Sequence, residues 1–254
     1  MRLPDPLYRL TRDTFVHHAP WHFARMRAEW LEPAERAAWQ RARAAFPAVR
    51  YVDQPGAGEE FLRFHREMIR VFIWLIVATP EAGMEYRPWI QLPGWLVQAF
   101  AKTGGGPQFL SGALAGVEGL IMTGTADQLG SFIEPTDVAR LRFDGIHNAT
   151  HDVVAQVEAT TVEPDLVAGA GMGATSTAPN NAHFWALHGW IDERFADWQR
   201  RHGEAVDQTP LDPSAQLHGM SAVVPAPLIG NDTAVIDRAL SRWREESILR
   251  RPLT

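Results

Sequence analysis

Glu59-Glu60-Phe61-Leu62-Arg63-Phe64-His65-Arg66-Glu67-Met68-Ile69-Arg70-Val71-Phe72-Ile73-Trp74-Leu75-Ile76-Val77-Ala78 is the stretch that decides the fold class. Phe61, Leu62, His65, Met68, Ile69, Phe72 and Ile76 recur at three-to-four spacing, the period of an α-helix that buries one face. Its apolar end, Val71 to Ala78, falls far short of the ~18 residues needed to suggest a bilayer span. The stretch therefore predicts a long core helix, and no membrane partner.

Outward from it, the same period predicts helices over Glu32–Phe46, closed by Pro47, and over about Gly145–Val157 and Ala182–Arg201. A shorter helix is expected at Gly94–Lys102. A last one is expected near Thr233–Glu246, where Asn231-Asp232-Thr233 supplies N-cap chemistry. Strand signals are few. Residues 80–93, 104–107 and 169–181 are dense in Gly and Pro and read as loops. The fold class expected is mainly α, a helical bundle with long irregular loops.

With 254 residues, 46% hydrophobic and 21% charged, the chain can bury one substantial core, and a single domain over 1–254 is expected. It has no cysteine, which excludes disulfides, thiolate metal sites and a cysteine nucleophile, so any metal must be held by His or carboxylate. The net charge of −6, with acidic and basic residues interspersed, carries no nucleic-acid footprint. Met1-Arg-Leu-Pro-Asp-Pro leads into no apolar stretch, and a cytoplasmic location is expected.

Histidine carries the chemical signal. Ten His scattered at random would give roughly a third of one i,i+4 pair, yet two such pairs occur, His147/His151 and His18/His22. On a helix, positions four apart share a face, so both rings of His147-Asn148-Ala149-Thr150-His151 can reach one metal. Downstream, Ala178-Pro179-Asn180-Asn181-Ala182-His183-Phe184-Trp185-Ala186-Leu187-His188-Gly189-Trp190-Ile191-Asp192 runs on to Trp198-Gln199. That segment resembles the second copper motif of the type-3 copper proteins, the tyrosinases, catechol oxidases and hemocyanins. There a Pro-Asn-Asp-Pro loop leads to Phe-Trp, a His ligand, Ile-Asp and a Trp-Gln ending. His188 falls on the ligand position and Asp192 on the aspartate, while His147, Asn148 and His151 match the family's earlier His-Asn-x-x-His.

The resemblance implies a tyrosinase-like domain with its core at about 59–200, and copper as cofactor at His147, His151 and His188. Three neutral imidazoles from two facing helices suit copper and leave positions open for dioxygen or substrate. Asp192, one turn beyond His188, is expected to accept that ring's N–H and set its tautomer.

The first copper motif is incomplete. Phe61-Leu62-Arg63-Phe64-His65-Arg66 resembles the family's Phe-Leu-x-Trp-His-Arg, which puts His65 on a ligand position, but the two further His expected upstream are absent from residues 32–60. His17-His18-Ala19-Pro20-Trp21-His22 offers a substitute, with His18 and His22 joining His65. Pro20 speaks against a regular helix there unless it lies in the first turn. For the acidic residue that, with Asn148, holds a water in some tyrosinases, Glu134 and Asp137 are the candidates. Gly169-Ala170-Gly171-Met172-Gly173-Ala174 fits a dinucleotide fingerprint formally but neither follows a strand nor opens a helix, and reads as a flexible loop. His183, His202 and His218 are expected outside any metal site.

The function implied is a copper-dependent oxidoreductase that acts with dioxygen on a phenol, an amine or another small aromatic, as in specialised metabolite biosynthesis. His65 and Asn148 are the expected catalytic-site residues, lining the pocket and orienting water or substrate. Two alternatives stand beside it. One is a redox-inactive homologue that serves a true oxidase as partner or carrier. The other is a three-His site filled by zinc or iron, since imidazole accepts all of these. A copper-delivery protein is a further expected partner.

Overall fold

The structure, a computed structural model, describes residues 1–102, 106–134, 145–161, 169–213 and 232–249. In chain order the helices are α1 (Asp5–Thr14), α2 (His18–Ala24), α3 (Arg36–Ala45), α4 (Ala57–Ala78) and α5 (Gly94–Lys102). They continue with α6 (Gly106–Thr123), α7 (Ala126–Ile133), α8 (Ile146–Thr161), α9 (Ala182–Arg201) and α10 (Thr233–Leu249). No strand occurs among the described residues, only an isolated antiparallel bridge between Arg2 and Asn181. The fold is mainly α, as the periodicity predicts.

The helix read from the opening stretch is the central one. On α4, Phe61, Leu62, His65, Met68, Ile69 and Phe72 are buried, and Gly56, with φ of 88°, turns the chain into it. On one side α4 meets α7 with backbone against backbone: a Cβ at Gly130 would lie 1.9 Å from the Gly58 carbonyl oxygen, and one at Gly58 would lie 2.1 Å from that of Asp127. Only glycine permits so close a crossing. A full capping box at Thr125 and Gln128 starts α7 just before this contact.

On its other side α4 packs on α9. Trp185 stacks on Phe72 with ring centroids 3.9 Å apart, and buried Arg66 reaches across to Asp192 and Gln199. The 86–89 segment lies along α9 as well, with Trp89 N donating to Ala186 O at 3.0 Å, and Gly189 leaves the space that Tyr86 and Pro88 fill. One cluster of buried apolar side chains runs from Leu3 to Leu240.

Helices α5 and α9 have the bounds expected from sequence, and α4, α8 and α10 differ at their ends by a few residues. α3 begins at Arg36 and not at Glu32, because the Glu35 carboxylate accepts from Glu32 N at 2.9 Å and from Arg242, closing a turn ahead of the helix. Helices α1, α2, α6 and α7 add to those expected. Pro20 is the third residue of α2, within its first turn, where no intrahelical hydrogen bond is lost; the proline objection to a helix there does not hold. Asp137, His218 and Asn231 lie outside the described residues.

Candidate metal centre

Four helices converge on one point and bring six imidazoles together there. α2 supplies His18 and His22, α4 supplies His65, α8 supplies His147 and His151, and α9 supplies His188. None is more than 9% exposed. Ring nitrogens of His147, His151 and His188 lie within 4.8 Å of one another, and the same holds for His18, His65 and His188. His22 sits beside the second group, its centroid 4.8 Å from that of His18 and 5.3 Å from that of His65. The groups adjoin: His65 stacks on His188 at 4.6 Å, and His147 Nε2 is 3.1 Å from His188 Nε2.

The arrangement repeats itself. Each half consists of an i,i+4 pair on one helix and a single His on another, and each single His follows Phe by four positions. His65 Nδ1 is 2.9 Å from Phe61 O, and His188 Nδ1 is 2.8 Å from Phe184 O. Among the paired residues, His18 Nδ1 lies 2.9 Å from Thr175 O and His151 Nδ1 lies 2.9 Å from Met172 O. His22 Nδ1 faces Glu134 Oε1 at 3.2 Å.

An Nδ1 proton held by an oxygen fixes the tautomer and leaves the Nε2 lone pair free, as metal ligation requires. The Nε2 atoms of His18, His22, His65 and His151 are buried and have no hydrogen-bond partner. Buried polar nitrogens left in this way are costly unless something is meant to meet them. His147 differs, since its Nδ1 is the atom without a partner.

Electrostatics act in the same direction. Burial lowers the His18 pKa to about 3 and that of His151 to about 4, and it drives His22, His65, His147 and His188 well below the ordinary value; Arg244 adds to the effect at His18 and His151, and Arg25 at His22 and His65. The six rings are neutral at pH 7. That is the state in which imidazole binds a metal, and each of the two groups could hold a metal ion.

Glu134 is 1% exposed, and both its oxygens are engaged, Oε1 by His22 and Oε2 by Arg25 Nη1 at 2.6 Å. Arg25 is fully buried, donates also to Ala57 O at 2.8 Å, and lies over the Trp21 ring. Burial pushes the Glu134 carboxyl up, and the Arg25 guanidinium opposes that shift. Glu134 thus pairs with both His22 and Arg25. Asn148 is half-buried, with an Nδ2 that has no partner.

Asp192 does not hold His188, whose Nδ1 goes to Phe184 O inside its own helix. The Asp192 carboxylate is taken by Arg66 and by Gln208 Nε2 at 2.7 Å, so its work is to clamp α4 to α9. His183 packs between Trp89 and Trp95. His202 stacks on Trp198 at 4.4 Å, on the exposed side.

Several contributors had no legible signal. The partnership of Arg25, Glu134 and His22 joins residues more than a hundred positions apart, and no local pattern announces it. The stretch 169–174 reads as a flexible loop in the sequence, yet Ala170 and Met172 are fully buried, and Met172 O, with Thr175 O just beyond it, meets an imidazole of the cluster. A dense Gly pattern marks close backbone approach as readily as mobility.

Residues 109–201 match the tyrosinase family model, described as the common central domain of tyrosinase. The match takes in α6 to α9, with His147, His151 and His188, and it supports a type-3 copper, tyrosinase-like family. No curated protein matches the chain. No helix among the described residues is long and apolar enough to cross a membrane.

Proposed function

We propose, from its place in the type-3 copper, tyrosinase-like family, that this protein is a copper-dependent oxidoreductase. It acts with dioxygen on a phenol, an amine or another small aromatic, as in specialised metabolite biosynthesis. His147, His151 and His188 hold one copper. His18, His22 and His65 hold the other, with α2 standing in for the ligands missing upstream of His65. The reading treats 1–254 as one domain, its core at 59–200 completed from the N-terminal side. The observation that carries it is the set of buried, unpartnered Nε2 atoms, each on a ring whose Nδ1 is already committed to an oxygen.

Copper bound there supplies one-electron chemistry, with dioxygen as oxidant and the aromatic substrate as electron donor. The protein's part is orientation and exclusion. Phe61 and Phe184, packed against His65 and His188 at 4.4 and 3.9 Å, keep the rings dry and turned inward. Carbonyl oxygens at 61, 172, 175 and 184 hold the Nδ1 protons, so each ring presents the same nitrogen. Asn148, with its free amide N–H, is placed to orient a water or a substrate oxygen beside His147.

The test is metal analysis of protein purified without added metal, then copper loading and oxygen uptake with phenols and aromatic amines. Two coppers per chain with substrate-dependent oxygen uptake support the reading. Zinc or iron retained in preference to copper overturns the metal assignment. Two tightly bound coppers with no uptake on any such substrate give a redox-inactive homologue, acting as partner or carrier.

A further inference from the structure

Two of the six rings, His18 and His151, depend on a segment that is neither helix nor carboxylate. Both take their Nδ1 acceptor from the loop 169–177, through Thr175 O and Met172 O, each at 2.9 Å. They belong to different ligand groups, one in each half of the centre. His65 and His188 need no such help, since their acceptors lie one turn back on their own helices. One loop therefore sets one ring of each metal.

That loop holds itself only in part, through Thr177 Oγ1, which donates to Gly171 O at 3.0 Å and to Ala174 O at 3.3 Å. It carries glycine at 169, 171 and 173, and Gly169 has φ of 67°, so ordering it costs more than ordering an average segment. Its near end is pinned by side chains leading into α9: Asn180 Nδ2 donates to Gly169 O at 3.0 Å and Asn181 Nδ2 to Ala170 O at 2.7 Å. Its far end is held by α10. Arg244, 7% exposed, donates from Nη1 to Thr175 Oγ1 at 3.0 Å and from Nη2 to Gly173 O. Asp237 accepts from Ser176 N at 3.0 Å and from Ser176 Oγ.

We infer that Arg244 and Asp237 are positioning residues for both halves of the centre at once. They hold 173–176 so that the Met172 and Thr175 carbonyls meet the ring N–H groups of His151 and His18, and α10 thereby sets two ligand rings through the loop, beside the Arg244–Asp152 pair at 3.4 Å next to His151. The inference rests on the two-metal reading for its consequence on copper binding, but its first readout needs no metal.

The experiment uses the metal-free full chain labelled with ¹⁵N at histidine, and follows the ring Nδ1 protons of His18, His151, His65 and His188 by NMR. Arg244→Gln and Thr175→Val, which removes the Arg244 anchor and spares the carbonyl, are each expected to speed exchange of the His18 and His151 protons by about tenfold or more. The His65 and His188 protons should keep wild-type rates. Arg244→Lys, able to reach one carbonyl, is expected to recover part of the protection. In copper titrations the same variants should weaken both metals together, by about tenfold or more.

Unchanged His18 and His151 protons in folded Arg244→Gln and Asp237→Asn protein overturn the inference, and so does loss of protection at all four rings alike. If Arg244→Gln does not fold, Thr175→Val decides by the same criterion. A wild-type chain that binds no copper defeats the two-metal reading and leaves the ring-proton result to stand or fall by itself.

Discussion

His22 Nδ1 lies 3.2 Å from Glu134 Oε1, which makes it the ring of the six that is oriented by a carboxylate. The same carboxylate is bonded to fully buried Arg25. Removing one member of such a pair leaves the other charge uncompensated, at a cost of about 3–5 kcal/mol, whereas replacing both by apolar groups is often close to neutral. Glu134→Ala should therefore destabilise the metal-free chain by about 3–5 kcal/mol in urea unfolding. Arg25→Met combined with Glu134→Leu should cost clearly less than the single change. A double loss equal to the sum of the Arg25→Met and Glu134→Leu losses would show that the two are not energetically coupled.

Copper stoichiometry separates the two halves of the centre. His65→Ala, His18→Ala and His22→Ala are each expected to lower the count from two to one, and His147→Ala should do the same by emptying the other half. Two coppers retained in both α2 variants would remove that helix from the ligand set.

Metal removal should weaken the fold, because the four buried Nε2 atoms lose their intended partner and the linkage term with it. At free copper of one hundred times Kd, one site adds about 2.7 kcal/mol. Thermal melts with copper and with a chelator should differ in that direction, and a chelator that leaves the melt unmoved would argue against binding in the folded state.

The crossing of α4 over α7 tolerates no side chain. Gly130→Ala places a methyl on the Gly58 backbone, and neither backbone can give way without moving His65 on one side or Glu134 on the other. The expected loss is about 3 kcal/mol, at the high end for overpacking. Equilibrium unfolding reads it, and a change below about 1 kcal/mol would mean that the two helices separate freely.

His183 gives a pH signature away from the ligands. Burial between two tryptophans lowers its pKa to about 4, against an unfolded value near 6.5. The unfolded chain therefore binds the proton first. Stability is unaffected above about pH 6.5 and declines as pH falls toward 4. His183→Phe should flatten that part of the stability–pH curve relative to wild type, and parallel curves would count against this account.

The legible part of the molecule was the part governed by local repetition. The three-to-four spacing of residues 59–78 and the pair at 147 and 151 depend on neighbours along the chain, and the structure reproduces them. The sequence does not announce α6 because Gly112, Gly116 and Gly119 dilute its apolar pattern, and a Cβ at Gly119 would meet only open space. Gly116, by contrast, lies against the ring of Phe132. α2 was discounted for a proline that stands where helices accept one. The acceptors for His18, His22 and His151 could not be read at all, since each is a contact between segments far apart in sequence. Asp192 was misassigned for the same reason: one helical turn puts it near His188, but only the packed pair of α4 and α9 shows that Arg66 claims it first.

The hold that α10 has on the 173–176 backbone sets an order of events during synthesis. If the inference above holds, the helices around His147 and His188 can form first, while the acceptors for His18 and His151 reach their places when residue 244 docks. On the proposed two-copper reading, both halves of the centre would take their final geometry only after α10 has docked.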